Sequence, residues 1–156
     1  LGDGSNEYYK NYENVHYFVK VDFDKVTAIL LKCDYTILTS ISEGVPFTIL
    51  ESMSMGIPII STNINGVNEY VKNKETGFLC DIVDYNKRMY DLGSWDILDI
   101  VEKNKETNIK NISHAIARAY GININIWHKM SKNCYQLMKK HFKNSADTIN
   151  KKNLLE

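Results

Sequence analysis

Two carboxylates, Glu43 and Glu51, stand eight positions apart in a segment built to expose them. Gly44-Val45-Pro46 lies between them as a turn that opens a helix, and Gly56-Ile57-Pro58 closes that helix into an apolar strand. The first backbone N–H groups of the helix, about residues 46 to 49, lack intrahelical partners and carry the positive end of the helix dipole. Such an end attracts a diphosphate. Gly44 permits close backbone approach, and Pro46 suits a first helical position, where a missing N–H costs nothing. Helical side chains lean toward the N-terminus, so Glu51 can reach back to accept hydrogen bonds from a ribose diol. Glu43, before the helix, falls nearer the far end of the diphosphate. There a carboxylate can bind sugar hydroxyls or stabilise positive charge at an anomeric carbon. Hydroxyls and phosphate on one ligand describe a nucleotide-sugar.

The elements around this segment alternate strand and helix. Residues 14–19 form a short β-rich run, and residues 22–32 follow with Val26, Ile29 and Leu30 at helical spacing and Asp22 or Asp24 as N-cap. Residues 35–39 are too short for a helix and read as a buried strand. Residues 40–46 form a loop, and residues 47–55 a helix with Phe47, Leu50 and Ser54 on one face and Gly56 as its stop. A strand is expected over 57–61, with Pro58 near its start where a missing donor is tolerated. Asn65-Gly66 marks a turn, 67–73 a short helix, and Thr76-Gly77 a turn into a strand at 78–80. Short connections between such elements predict an α/β fold, a Rossmann-like parallel sheet flanked by helices on both faces. Ligands of such sheets bind beyond the carboxyl ends of the strands, where the loop 40–46 emerges.

After residue 84 the strands stop. Helices are expected over 96–103, 109–120 and 124–142, the last with Ile124, Trp127, Met130 or Ser131, Cys134, Leu137 or Met138, and Phe142 at a 3.6 period. Residues 1–142 thus read as one nucleotide-sugar-binding domain, and 143–156 as a polar, frayed tail. The chain begins at Leu1 without an initiator Met, so truncation at the N-terminus is part of the reading.

Composition bounds the function classes. At 156 residues the chain fits one domain that buries about two-thirds of its surface. Zero formal net charge supplies no long-range field for nucleic acid or an anionic membrane. No apolar run approaches the ~20 residues of a membrane span, and no signal peptide is visible. Cys33, Cys80 and Cys134 have neither zinc nor disulfide spacing and read as buried thiols of a reducing cytosol. His16 reads as a core or edge histidine inside its β run, and His114, His128 and His141 as solvated helix residues. No metal site is expected, since no histidines have ligand spacing. Trp95 and Trp127 read as core anchors, and the lysine-rich stretch 139–152 as a solvated face.

The segment 42–62, followed by Asn65-Gly66-Val67-Asn68-Glu69-Tyr70-Val71 and Thr76-Gly77-Phe78-Leu79, resembles the GT-B retaining glycosyltransferases of family 4. These share a Glu-x7-Glu signature in the C-terminal, donor-binding domain. The resemblance implies that Glu43 contacts the transferred sugar and is the catalytic residue. It implies that the backbone at Gly44, Val45, Pro46 and Phe47 lines the sugar and phosphate pocket. Thr48 would contribute to phosphate binding, and Glu51 would hold the ribose. Val19, Lys20 and Val21 would form the loop that meets the base. Lys20 stands where the family usually has glycine, and Asn68 where it usually has proline. The family's phosphate-binding Arg and Lys would lie upstream of Leu1, since residues 1–4 resemble only the end of its second strand.

The implied activity is transfer of a hexosyl group from a nucleoside-diphosphate sugar in glycan or polysaccharide synthesis. The acceptor (glycan, lipid or small molecule) would bind an N-terminal domain missing from this chain, which alone would be inactive. The donor is a substrate, and no cofactor is implied. The implied location is cytoplasmic, including the periphery of the inner membrane face. Two alternatives stand beside this reading: a non-catalytic nucleotide-sugar-binding module, and a fragment of a GT-B type sugar epimerase.

Overall fold

A computed structural model describes residues 12–16, 18, 21–85 and 94–153, without the side chains of 23, 94, 95 and 145–153. The chain divides into two compact units, Leu1–Lys32 and Cys33–Glu156.

In the first unit, helix α1 (Phe23–Leu30) begins after Asp22. The Asp22 carbonyl accepts the N–H groups of Lys25 and Val26, while its carboxylate makes no cap. The strand expected over 14–19 does not form where it is described. Glu13 and Asn14 are in a turn, with Val15 N–H bonded to the Tyr12 carbonyl (3.1 Å), and His16 and Phe18 are irregular. A turn closed by its own backbone competes with pairing to a neighbouring strand. His16 is exposed and is no core histidine. Tyr17, Val19 and Lys20, like residues 1–11, lie outside the described residues.

The second unit is a three-stranded parallel sheet in the order β1 (Thr36–Leu38), β2 (Ile59–Thr62), β3 (Gly77–Cys80). Thr36 pairs with Ile59, and Ile59 in turn with Gly77. Helix α2 (Phe47–Ser54) crosses over from β1 to β2. After β3 come α3 (Ser94–Lys103), α4 (Lys105–Tyr120) and α5 (Ile124–Asn153). α5 therefore runs past residue 142 through the stretch expected to be a frayed tail.

Each face of the sheet has its own core. On one, Ile59 meets Ile49, Leu50 and Met53 of α2 and Cys134 and Met138 of α5. On the other, Ile60, Phe78 and Cys80 meet Ala115 and Ala119 of α4 and Met130 of α5. The alanines let α4 lie close over the sheet, and Tyr35 Oη–H bonds the Ala119 carbonyl at 3.2 Å. Burial, and then the nearby Asp34 carboxylate, push the Tyr35 phenol up from its usual pKa. The Rossmann-like α/β class holds, with helices on both faces.

Two glycines do structural work. Gly56 adopts φ +75° and ends α2 in a Schellman motif. Its N–H bonds the Met53 carbonyl (3.0 Å), and Ile57 N–H bonds the Ser52 carbonyl (3.0 Å). At Gly77, a Cβ would fall 2.0 Å from the Ile59 carbonyl oxygen, so only glycine lets β3 lie against β2 at that level. Residues 67–73 do not form the expected helix. Asn68 N–H bonds Ile64 and Val71 N–H bonds Val67, isolated turns that never propagate. The Thr76 hydroxyl takes the Lys72 N–H (2.8 Å), diverting it from a helical ladder.

Cys80 and Cys134 are buried as expected, but Cys33 is exposed, because it follows α1 in the connection and not in a packed face. Trp127 is half-buried, with its indole N–H bonded to the Asp34 carbonyl at 3.0 Å. The side chain of Trp95 lies outside the described residues.

Candidate functional site

The loop after β1 is positioned by hydroxyls from β2. Ser61 and Thr62, both buried, donate to the carbonyls of Leu38 (2.6 Å) and Ser40. They tie the last residues of β1 and the start of the loop to the neighbouring strand. A third relay fixes α2: Thr36 Oγ1–H donates to Ser52 Oγ (2.9 Å), which donates to the Thr48 carbonyl (2.7 Å). The loop's middle rests on Gly66, which has φ +81°. A Cβ there would meet the carbonyl oxygens of Glu43 and Gly44 at 2.7 Å each. The Asn65-Gly66 turn is therefore the floor on which Glu43 and Gly44 sit. Sequence reasoning found the turn and missed what rests on it, since none of these contacts has a local sequence signature.

On that floor the candidate residues are consecutive. Glu43 is half-buried, and Gly44 is exposed with open space where a side chain would be. Val45 is exposed, Pro46 buried, and Phe47 is 70% exposed. Pro46 is the N-cap, and the first helical position falls to Phe47. The Pro46 carbonyl accepts both Ile49 N–H (2.9 Å) and Leu50 N–H (3.2 Å), while Phe47 N–H turns back to the Val45 carbonyl (3.0 Å). Among the described residues only the Thr48 amide is left without a protein acceptor in this first turn. The open donor set is thus smaller than the run from 46 to 49 expected from the sequence.

The face of α2 also differs from expectation. Ile49, Leu50, Ser52 and Met53 are its buried residues, whereas Phe47 points outward. The crossover must lay its helix flat on the sheet, which selects a stripe centred on Ile49 and Met53. Phe47 and Glu51, four apart, share the opposite stripe, and Glu51 is half-buried there. Thr48 is exposed. Glu43, the Gly44 backbone and the Thr48 amide therefore lie at the entry to one crossover, beyond the carboxyl end of β1, and Glu51 lies in the second turn of its helix.

Of the loop expected to meet a nucleotide base, Val19 and Lys20 lie outside the described residues. Val21 is half-buried and directly precedes the Asp22 cap of α1, in the other unit.

The model of the family "Glycosyl transferases group 1" matches residues 5–92, more than half of the chain. The chain belongs to this family. The group 1 match contains β1, α2, β2 and β3 and both glutamates, so the family segment and the structurally built site coincide. Membership assigns a transferase role, with a sugar donor and an acceptor as reactants. Comparison with individually curated proteins gives no match. Among the described residues of this glycosyltransferase domain, no helix is long and apolar enough to cross a membrane.

Proposed function

We propose that this domain holds the nucleotide-sugar donor of a retaining, GT-B type hexosyltransferase of family 4. One observation carries the reading. The loop 40–46, held at the carboxyl end of β1 by β2 hydroxyls and by Gly66, carries half-buried Glu43 up to the start of α2, and half-buried Glu51 follows in the second turn of that helix. The Thr48 amide and the dipole of α2 accept the diphosphate. Gly44 lets the ligand touch the backbone, and the Val45, Pro46 and Phe47 segment walls the sugar and phosphate. Glu51 takes the ribose hydroxyls. Glu43 faces the transferred sugar and stabilises the positive charge that grows at its anomeric carbon as the diphosphate departs. The acceptor attacks from the face the leaving group vacates, which retains configuration.

The residues named are enough to bind and orient a donor and insufficient to present an acceptor. The acceptor is held by groups other than those named here. The domain works in the cytoplasm, including the inner membrane face, in glycan or polysaccharide synthesis.

Titration calorimetry with UDP-, GDP- and ADP-sugars tests this. One of the three binds the wild type, and both Glu43→Ala and Glu51→Ala weaken it by tenfold or more, the scale of a charge-assisted hydrogen bond. Unchanged binding in both variants contradicts the proposal.

A further inference from the structure

Away from Glu43 and Glu51, an open cleft of about 780 Å³ runs against α4 along the edge of β3 that pairs with no other strand among the described residues. Its polar lining is Asn63, Asn73, Asp81, Asn111, His114 and Arg118. Most of these side chains are held rigid by the sheet edge itself. Asn73 Oδ1 accepts Leu79 N–H (3.2 Å), and Arg118 Nη2 donates to the Leu79 carbonyl (3.2 Å). Asn111 Nδ2 donates to the Asp81 carbonyl (2.9 Å), and Asn63 Nδ2 donates to Asp81 Oδ1 (2.8 Å). The Arg118 guanidinium also stands 5.8 Å from the Phe78 ring centroid.

Asn73 and Asn111 each spend one half of a bifunctional amide in these bonds and keep the other, whereas Asn63 also accepts from Asn68 Nδ2. The Asn73 amide nitrogen and the remaining Arg118 N–H groups are donors. Asn111 Oδ1 and the second Asp81 oxygen are acceptors. His114 carries one of each when neutral. One carboxylate and one guanidinium cancel, so the cleft has no net preference for an anion. Fixed planar donors and acceptors, interleaved and without net charge, match ligands whose groups both donate and accept.

We infer that this β3–α4 cleft binds a neutral saccharide through its hydroxyls, separately from any nucleotide-sugar. In a transferase that handles glycans, such a cleft would retain a polymeric product or acceptor near the donor domain. The site is open and encloses little of a ligand, so affinity for a trisaccharide is in the millimolar range.

The test is ¹H–¹⁵N NMR of the whole chain titrated with neutral trisaccharides of glucose, of mannose and of N-acetylglucosamine, with inorganic phosphate as a separate arm. Shifts at the side-chain amides of Asn63, Asn73 and Asn111, from at least one saccharide, are expected. His114→Ala, an exposed position on α4, weakens that binding by about fivefold, the value of one neutral hydrogen bond, with the thermal melt unchanged. Arg118→Lys, which keeps the charge and loses the fork, weakens it further. Absence of these shifts with all three saccharides overturns the inference, as does an equal response to phosphate alone. No nucleotide is present in any arm, so failure here leaves the donor site untouched. Failure of nucleotide-sugar binding likewise leaves this result readable.

Discussion

The carboxyl ends of β1 and β3 are finished in opposite ways. The segment leaving β1 is steadied through its carbonyls, by hydroxyls and a glycine on neighbouring elements, so the Thr48 amide and both glutamates remain unspent. The segment leaving β3 is stitched by asparagine side chains. Asn111 takes the Asp81 carbonyl, Asn108 Oδ1 takes Val83 N–H (2.9 Å), and Asn104 reaches the Asp84 carboxylate (3.2 Å). One end thus offers one backbone donor and two carboxylates, which the proposed function assigns to a phosphorylated sugar. The other offers half-used amides, suited to neutral hydroxyls. On the two proposals made above, the same parallel sheet would serve two ligand chemistries according to which partners satisfy its loops.

The largest perturbation should erase the comparison altogether. In Gly77→Ala the new methyl meets the Ile59 carbonyl at 2.0 Å, a backbone atom that cannot rotate away. β2 and β3 must part, at a cost of about 3 kcal/mol or more. Urea unfolding should show a large drop in midpoint and loss of both binding responses. A midpoint like that of the wild type would mean that β3 does not lie where described.

Gly66→Ala should break one side only. The residue would carry φ +81° and press on the carbonyls of Glu43 and Gly44, costing about 2–3 kcal/mol and lifting the loop. Donor binding should fall by more than tenfold while the asparagine amides of the β3 cleft keep their NMR positions. Asn108→Ala should do the converse. Asn108 is buried, so its loss strands the Val83 N–H, at about 1–3 kcal/mol. Hydrogen exchange should then accelerate at Val83 and in α4, with the amides of 43–48 unaffected. If either variant disturbs both ends equally, the two are one cooperative unit and the contrast fails.

How much of this was legible depended on whether the signal was local. Gly56 as the stop of α2, Pro58 before β2 and the Glu43 to Glu51 spacing are each decided within a few residues, and each was readable. The outward turn of Phe47 was not, because the buried stripe of α2 is chosen by the sheet beneath it. The 67–73 stretch has helical spacing, yet its fate is decided by a hydroxyl at Thr76 that captures Lys72. Ser61, Thr62, Asn108 and Asn111 look like ordinary polar residues of a strand and a helix. Their roles appear only when chain segments 22 to 30 residues apart are brought together.

The gentlest prediction uses the two buried thiols, one in each core. Cys134 lies on the α2–α5 side of the sheet and Cys80 on the α4 side. Their S–H groups donate to the carbonyls of Thr76 and Ser61, both at 3.2 Å. Desolvation pushes the Cys134 thiol up to about 12 and also raises Cys80. In the unfolded chain a thiol ionises near pH 9, while folded Cys134 keeps its proton until about 12. The unfolded state therefore binds fewer protons across that window, and stability falls as pH rises. Between pH 9 and pH 10 the loss attributable to Cys134 is at most about 1 kcal/mol. Cys134→Ala should flatten that part of the slope measured by urea unfolding, at the expense of a small cavity. Cys80→Ala should flatten it less, and exposed Cys33 should be alkylated before either. An unchanged slope in Cys134→Ala would show that water reaches the core beneath α2, and the contrast between a dry core there and the open cleft beside β3 would fail.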